Sequence, residues 1–247
     1  MKLNCDLGES FGPWTMGQDE AVMPFIDMAN IACGFHASDP AIMANTVALA
    51  VQYGVAIGAH PSYQDLAGFG RRSIVHSPTE LRSLLWYQTG ALEGICRALQ
   101  TEVSYVKPHG ALYNDMMRDP AILQVVMEAV AGYRDGLPLM IPATPDIEQH
   151  REMARRTGVP VIPEAFADRA YDDDGLLVPR TERGAVYEEP DLIVQQALSL
   201  IQQGGVYSIS GKWLPLPAET LCVHGDNACA LEATRAIRAA ITEQQTR

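Results

Sequence analysis

The sequence predicts an α/β fold: a β/α barrel of seven parallel strands, a TIM-barrel variant one strand short of the usual eight. Three observations predict it. Short apolar runs alternate with helical patterns along the chain, the signature of a parallel sheet wrapped by helices. Proline repeatedly stands at the first position of the predicted helices, mostly behind a capping side chain. Connections from helix to strand are as short as Gly54 alone, whereas those from strand to helix are long, at 8–27, 61–77 and 167–189. Barrels that build a site on their carboxyl rim show this asymmetry.

Strands are predicted at 1–7, 28–35, 55–60, 103–109, 137–142, 160–166 and 219–224. The clearest helix runs over 78–99, where Leu81, Leu84, Leu85, Gln88, Leu92, Ile95, Cys96 and Leu99 recur at helical spacing. Weaker helical patterns cover 40–53, 120–132, 146–157, 190–203 and 227–242. Asp39-Pro40, Ser77-Pro78, Asp119-Pro120, Thr144-Pro145 and Glu189-Pro190 mark helix starts, and Ser77 with Glu80 matches a capping box. Gly54, Gly158 and Gly204 fall just past helix ends. Residues 205–216 break the alternation: Ser210-Gly211 between two short apolar runs predicts an inserted β-hairpin. That hairpin is expected to leave Lys212 on the surface near the amino ends of the strands. No repeat or linker divides the chain, so residues 1–247 are read as one domain.

Composition narrows the function. A formal charge of −12 argues against nucleic acid, because phosphate contacts need clustered Lys and Arg. Lysine occurs only at positions 2, 107 and 212, leaving most cationic roles to arginine. The five cysteines contain no C-x-x-C pair, and Cys5, Cys33 and Cys222, inside apolar runs, read as small buried thiols of a reducing compartment. Asp6 and Glu9 interrupt any leader-like apolar stretch, and no apolar run is long enough to span a bilayer. The expectation is a cytoplasmic protein with no membrane contact.

Four of the six histidines close apolar runs: NIACGFH at His36, VAIGAH at His60, VSYVKPH at His109 and TLCVH at His224. Asp6 closes KLNCD, and Glu164 and Asp168 close VPVIPEAFAD. Parallel strands bring such ends to one rim. Residues two apart share a face, which pairs Asn4 with Asp6, Lys107 with His109, Glu164 with Asp168 and His224 with Asp226. One such histidine reads equally well as a hydrogen-bonded core residue; four in equivalent places favour a site. Asp6, His36, His60, His109, His224 and Asp226 offer general acids and bases, or ligands for a divalent metal. Lys107 suits an oxyanion or a phosphate, with an ion pair to Glu164 or Asp168 as the structural alternative. Arg169, Arg71 and Arg72 are secondary candidates for clamping a carboxylate or phosphate. The chain contains no G-x-x-x-x-G-K-[ST], G-x-G-x-x-G, G-x-S-x-G or H-E-x-x-H. Nucleotide binding and metal ligation therefore carry no signature.

The blocks NCDLGESFG (4–12), NIACGFHASDP (30–40), GAHPSYQD (58–65), VKPHGALYN (106–114), EAFADRAY (164–171) and LCVHGD (221–226) resemble the LamB/YcsF family, the family of 5-oxoprolinase A subunits. They span nearly the whole chain in order; one departure is Ser38, where the family favours glycine. The resemblance implies a seven-stranded barrel of the glycoside hydrolase/deacetylase type. It also implies ATP-dependent opening of 5-oxo-L-proline to L-glutamate, with ATP as co-substrate (and Mg accompanying it) and subunits B and C as partners. Asp6, Asn30, His36, His60, Lys107, His109, Glu164, Asp168, Arg169, His224 and Asp226 carry over by motif, Asn30 and Arg169 as substrate-binding residues. The competing expectation is a metal-dependent amide, N-acyl or carbohydrate hydrolase, as in barrel deacetylases. Those place two metal histidines about one helical turn apart, and no H-x-x-x-H occurs here.

Overall fold

The computed structural model describes residues 1–223 and 230–245. The elements follow in order: β1 (Lys2–Leu7), a single turn α1 (Asp19–Val22), β2 (Met28–Ala32), α2 (Pro40–Tyr53), β3 (Ala56–His60), α3 (Pro78–Ala98), β4 (Tyr105–Val106), α4 (Gly110–Arg118), α5 (Pro120–Tyr133), β5 (Leu139–Pro142), α6 (Ile147–Thr157), β6 (Val161–Phe166), α7 (Pro190–Gln203), β7 (Gly205–Tyr207), β8 (Trp213–Pro215), β9 (Thr220–Cys222) and α8 (Ala230–Gln245). Strands β1 to β6 pair in sequence, and β9 lies between β6 and β1, closing a barrel in which every pair is parallel. β7 and β8 form the expected antiparallel hairpin outside it.

Strand alternation divides the side chains between two environments. Leu3, Cys5, Leu7, Ala29, Ile31, Ile57, Ala59, Val106, Leu139, Ile141 and Leu221 point outward into the main apolar core beneath the helices. Leu81, Leu85, Leu92 and Cys96 of α3 reach that core as predicted, whereas Leu99 lies past the helix end and stays exposed. Inside the barrel, Met28, Tyr105 and Met140 form a small separate cluster. Gly58 makes room for it: a Cβ there would lie 2.1 Å from a ring carbon of Tyr105.

Helix starts are held as the caps predict. Asp39 accepts from the backbone N–H groups of Ala41 and Ile42, Asp119 from that of Ala121, and Ser77 with Glu80 completes a capping box. Gly54, Gly158 and Gly204 are left-handed at their C-caps. No helix among the described residues is long and apolar enough to cross a membrane.

Four details depart from the sequence reading. β4 is two residues long: Pro108 has no N–H to follow that of Val106 toward β5, although on the β3 side His109 still donates to the Pro61 carbonyl. α4 is an additional helix; its buried Ala111, Leu112, Tyr113 and Met116 occupy nine residues before Asp119 ends it and caps α5. α6 starts at Ile147, so Pro145 precedes the helix rather than opening it. The hairpin tip does not stay at the amino ends of the strands. Ile209 donates to the carbonyl of Tyr171, and Ser208 and Ser210 donate to Asp173 at 2.5 Å each, docking the tip on the loop that leaves the carboxyl end of β6. Lys212 is exposed, as expected, and donates to the Asp173 carbonyl.

Candidate active site

A polar column fills the barrel above the Met28–Tyr105–Met140 cluster. At its base Asn4 donates to Thr220 (2.9 Å), Asn30 donates to Asn4 and to Asp6 (2.7 Å each), and the Tyr105 hydroxyl donates to Asn30 (2.6 Å). Strand register makes this possible by setting Asp6 beside Asn30 and Asn4 beside Cys222. One storey higher, the Lys107 ammonium lies 2.9 Å from Asp6 Oδ1 and 2.8 Å from Glu164 Oε1. Burial pulls its pKa down, but Asp6, the Cys222 sulfur and Glu164 outweigh burial and hold the group well above the usual lysine range. Tyr113 of α4 donates to the other Glu164 oxygen at 2.6 Å. The sequence reading left Lys107 between an oxyanion partner and an ion pair; the structure places it in two ion pairs while leaving it on the cavity wall.

The histidines crown the column. His60 closes β3, His109 caps the start of α4, and His36 sits on the turn after β2. The His36 and His109 rings stack at 3.7 Å between centroids and 4° between planes, and His60 meets both edge-on. His60 Nε2 lies 2.9 Å from His109 Nδ1 and 3.3 Å from Asp6 Oδ2. Glu9 closes the group: its Oε1 is 3.2 Å from His36 Nε2 and 3.6 Å from His109 Nδ1. Burial pushes the His36 ring below the ordinary histidine range against the pull of Glu9. Burial, reinforced by His36 and His60, pushes His109 well below that range. Both rings therefore carry lone pairs near neutral pH.

Asp6, Glu9, His60, Lys107 and His109 open onto one cavity of about 290 Å³, walled higher up by Arg71, Arg118, Arg169 and Arg180. Arg71 lies over the Phe69 ring, 4.8 Å from its centroid. Arg169 is anchored by the carbonyls of Ala185 (3.1 Å) and Val178 (2.6 Å). Its guanidinium is brought down to about 10 by burial and by Arg180, so it stays cationic. Arg72 is not on this wall; its guanidinium is committed to Asp65. Asn30, His36, Glu164 and Asp168 stand behind the wall rather than on it. His224 and Asp226 lie outside the described residues.

The model of the LamB/YcsF family matches residues 1–247. Over 236 residues the chain is 58% identical to a 5-oxoprolinase A subunit from Chromohalobacter salexigens, covering 96% of this chain and 94% of that one. It is 56% identical to a protein of the same description from Pseudomonas fluorescens, covering 98% and 97%. A crystal structure of a lactam utilization protein from Thermus thermophilus superposes with a TM-score of 0.89 at 38% identity, covering 99% of this chain and 97% of that one. The chain belongs to the LamB/YcsF family.

The LamB/YcsF site contains groups that the strand-end reasoning did not select. Glu9 closes no strand: it follows Gly8, whose φ of +68° turns the chain back over the barrel mouth. Its only signal was its place in the NCDLGESFG block. Arg118 and Arg180 sit on α4 and on the long loop after β6, where sequence alone gives no cue separating cavity arginines from solvated ones. The departure at Ser38 also has a physical reading. Its φ is +76°, a backbone conformation natural to glycine, and its buried N–H donates to the carbonyl of Ser10.

Proposed function

We propose that this chain is the A subunit of an ATP-dependent 5-oxoprolinase, opening 5-oxo-L-proline to L-glutamate with ATP cleavage and working with subunits B and C. Support comes from relatives described as A subunits of 5-oxoprolinase and from a solved relative described as a lactam utilization protein. The observation that carries the reading is the cavity floor, where an ammonium, two carboxylates and two imidazoles face one small space below four arginines. ATP as co-substrate puts the reaction in the cytoplasm.

An unstrained lactam is a poor electrophile, and its hydrolysis to glutamate is uphill, so coupling to ATP is chemically sensible. Transfer of the γ-phosphoryl group to the lactam oxygen releases ADP and activates the ring carbon. A water oxygen then bonds to that carbon, the ring C–N bond breaks, and the nitrogen takes up a proton. A second water cleaves the resulting acyl phosphate to glutamate and inorganic phosphate. This chain hosts the ring-opening half. Asp6, beside His60, removes the water's proton, a role typically worth about 10²–10⁴-fold. Lys107 faces the negative charge that develops on the oxygen, and the arginines on the wall take the substrate carboxylate or the phosphate.

A second reading, ATP-independent metal hydrolysis of an amide or N-acyl group, is favoured by one observation: Glu9, His36, His60 and His109 come together as possible metal ligands. Glutamate release from 5-oxoproline, with and without ATP, separates the two. The A-subunit reading expects little turnover by this chain alone and ATP-dependent turnover once B and C are added. Robust ATP-independent turnover by the chain alone would select the second reading.

A further inference from the structure

The hydrogen bonds at the barrel mouth do not balance without a cation. His60 Nδ1 lies 2.7 Å from the Lys107 carbonyl, and His109 Nε2 lies 2.9 Å from the Phe69 carbonyl. A carbonyl only accepts, so both ring nitrogens carry hydrogen. In neutral rings the opposite nitrogens, His60 Nε2 and His109 Nδ1, are then bare lone pairs, yet they stand 2.9 Å apart. Two carboxylate oxygens, themselves acceptors, stand beside them among the described residues: Asp6 Oδ2 at 3.3 Å from His60, and Glu9 Oε1 at 3.6 Å from His109 and 3.2 Å from His36 Nε2. Something positive has to sit among these atoms, either a shared proton or a metal ion.

Geometry favours the metal. One donor atom from each of Glu9, His36, His60 and His109 lies within 4.8 Å of all the others. Donors about 2.1 Å from a tetrahedral zinc-like ion stand roughly 3.4 Å apart; three of the six separations, 2.9, 3.2 and 3.6 Å, bracket that edge, and all six fall within 4.8 Å. Ligating histidines are held by a hydrogen bond from the far ring nitrogen to a carbonyl or carboxylate, as the backbone holds His60 and His109 here. The scaffold is shaped around the rings: a Cβ at Gly70 would lie 2.9 Å from both His109 Cδ2 and His36 Cβ. Glu9, His60 and His109 also line the cavity, so an ion there faces substrate and water.

We infer that Glu9, His36, His60 and His109 form a binding site for one transition-metal dication of the zinc or manganese class. Mixed imidazole and carboxylate donors suit such ions better than magnesium, which prefers an all-oxygen octahedron. The role of the ion in turnover rests on the A-subunit reading. Its Lewis acidity makes the ring-opening water acidic, and Asp6 beside His60 is the carboxylate placed to take that water's proton.

The test begins with metal-stripped full-length chain titrated with Zn²⁺, Mn²⁺ and Mg²⁺ by calorimetry, with elemental analysis after dialysis. One equivalent of Zn²⁺ or Mn²⁺ per chain is expected, with no comparable uptake of Mg²⁺. Glu9→Gln and His36→Ala should each weaken binding by more than the roughly 10–100-fold typical of losing an outer hydrogen-bond partner. Circular dichroism checks that both variants fold. Absence of stoichiometric uptake by folded wild-type chain overturns the site whatever the variants do, and leaves the shared proton. Turnover of the assembled complex with ATP and excess Mg²⁺, assayed with a transition-metal chelator, separates the remaining outcomes. ATP-dependent activity that survives complete metal removal overturns the catalytic role while the A-subunit reading stands. Metal binding with no glutamate release under any condition sinks that reading and leaves the site intact.

Discussion

The two faces of the barrel wall solve opposite problems. Outside, between strands and helices, side chains such as Leu3, Ile31, Leu92 and Leu139 are wholly buried in a continuous apolar layer. There the hydrophobic effect does the work and no individual contact is specific. Inside, the same strands present Asn4, Asp6, Asn30, Lys107, Glu164 and Thr220, also buried though Asp6 and Lys107 reach the cavity, and each polar group must find a named partner. One residue of strand register separates the two worlds, and the chemistry resides in the inner one.

Substitutions can break this division, the largest first. Lys107→Met leaves Asp6 and Glu164 buried without their cation, and the expected loss is about 3–5 kcal/mol in urea unfolding. Glutamate release by the complex should fall at least about 100-fold, the scale of a lost oxyanion partner. Adding Glu164→Gln to that variant should return part of the stability and none of the turnover. On the outer face, Leu92→Ala should cost about 2–5 kcal/mol while turnover per folded molecule stays normal; a matching loss of turnover would show that the faces are coupled. Tyr105→Phe, in the neutral base of the column, should cost about 1–2 kcal/mol by leaving Asn30 Oδ1 short of a donor. The smallest effect has the opposite sign and tests the rim where the faces meet. Ser38→Gly relieves a left-handed non-glycine residue and should raise stability by about 0.5 kcal/mol in the same unfolding assay.

The outer face was legible in sequence because its information is periodic. Every barrel strand was found, and helices such as Pro40–Tyr53 and Pro190–Gln203 agree at both ends because proline and glycine punctuate them. α4 escaped because nine residues ending where the next helix is capped give periodicity too little length. The inner face was legible only where chemistry coincided with a strand end, which is how Asp6, His60, Lys107 and His109 were selected. The same rule passed over His76 and His150, and neither joins the cluster at the mouth. Glu9 was invisible to it, since a loop residue's approach depends on backbone turns that no alternation encodes. Hydrogen-bond polarity was also hidden: that His60 and His109 both give their far hydrogens to backbone carbonyls follows from positions, not residue types.

Closure of the ring by its last strand has a consequence for how the protein is made. β9 slots between β6 and the first strand, bringing Thr220 to Asn4 and Cys222 to Lys107. Until residue 222 has left the ribosome, the nascent polypeptide is an open sheet with two sticky margins, the kind of surface that chaperones shield and stray strands capture. The pocket therefore comes into being in a single late event, and a translation product halted earlier has no partial version of it to offer.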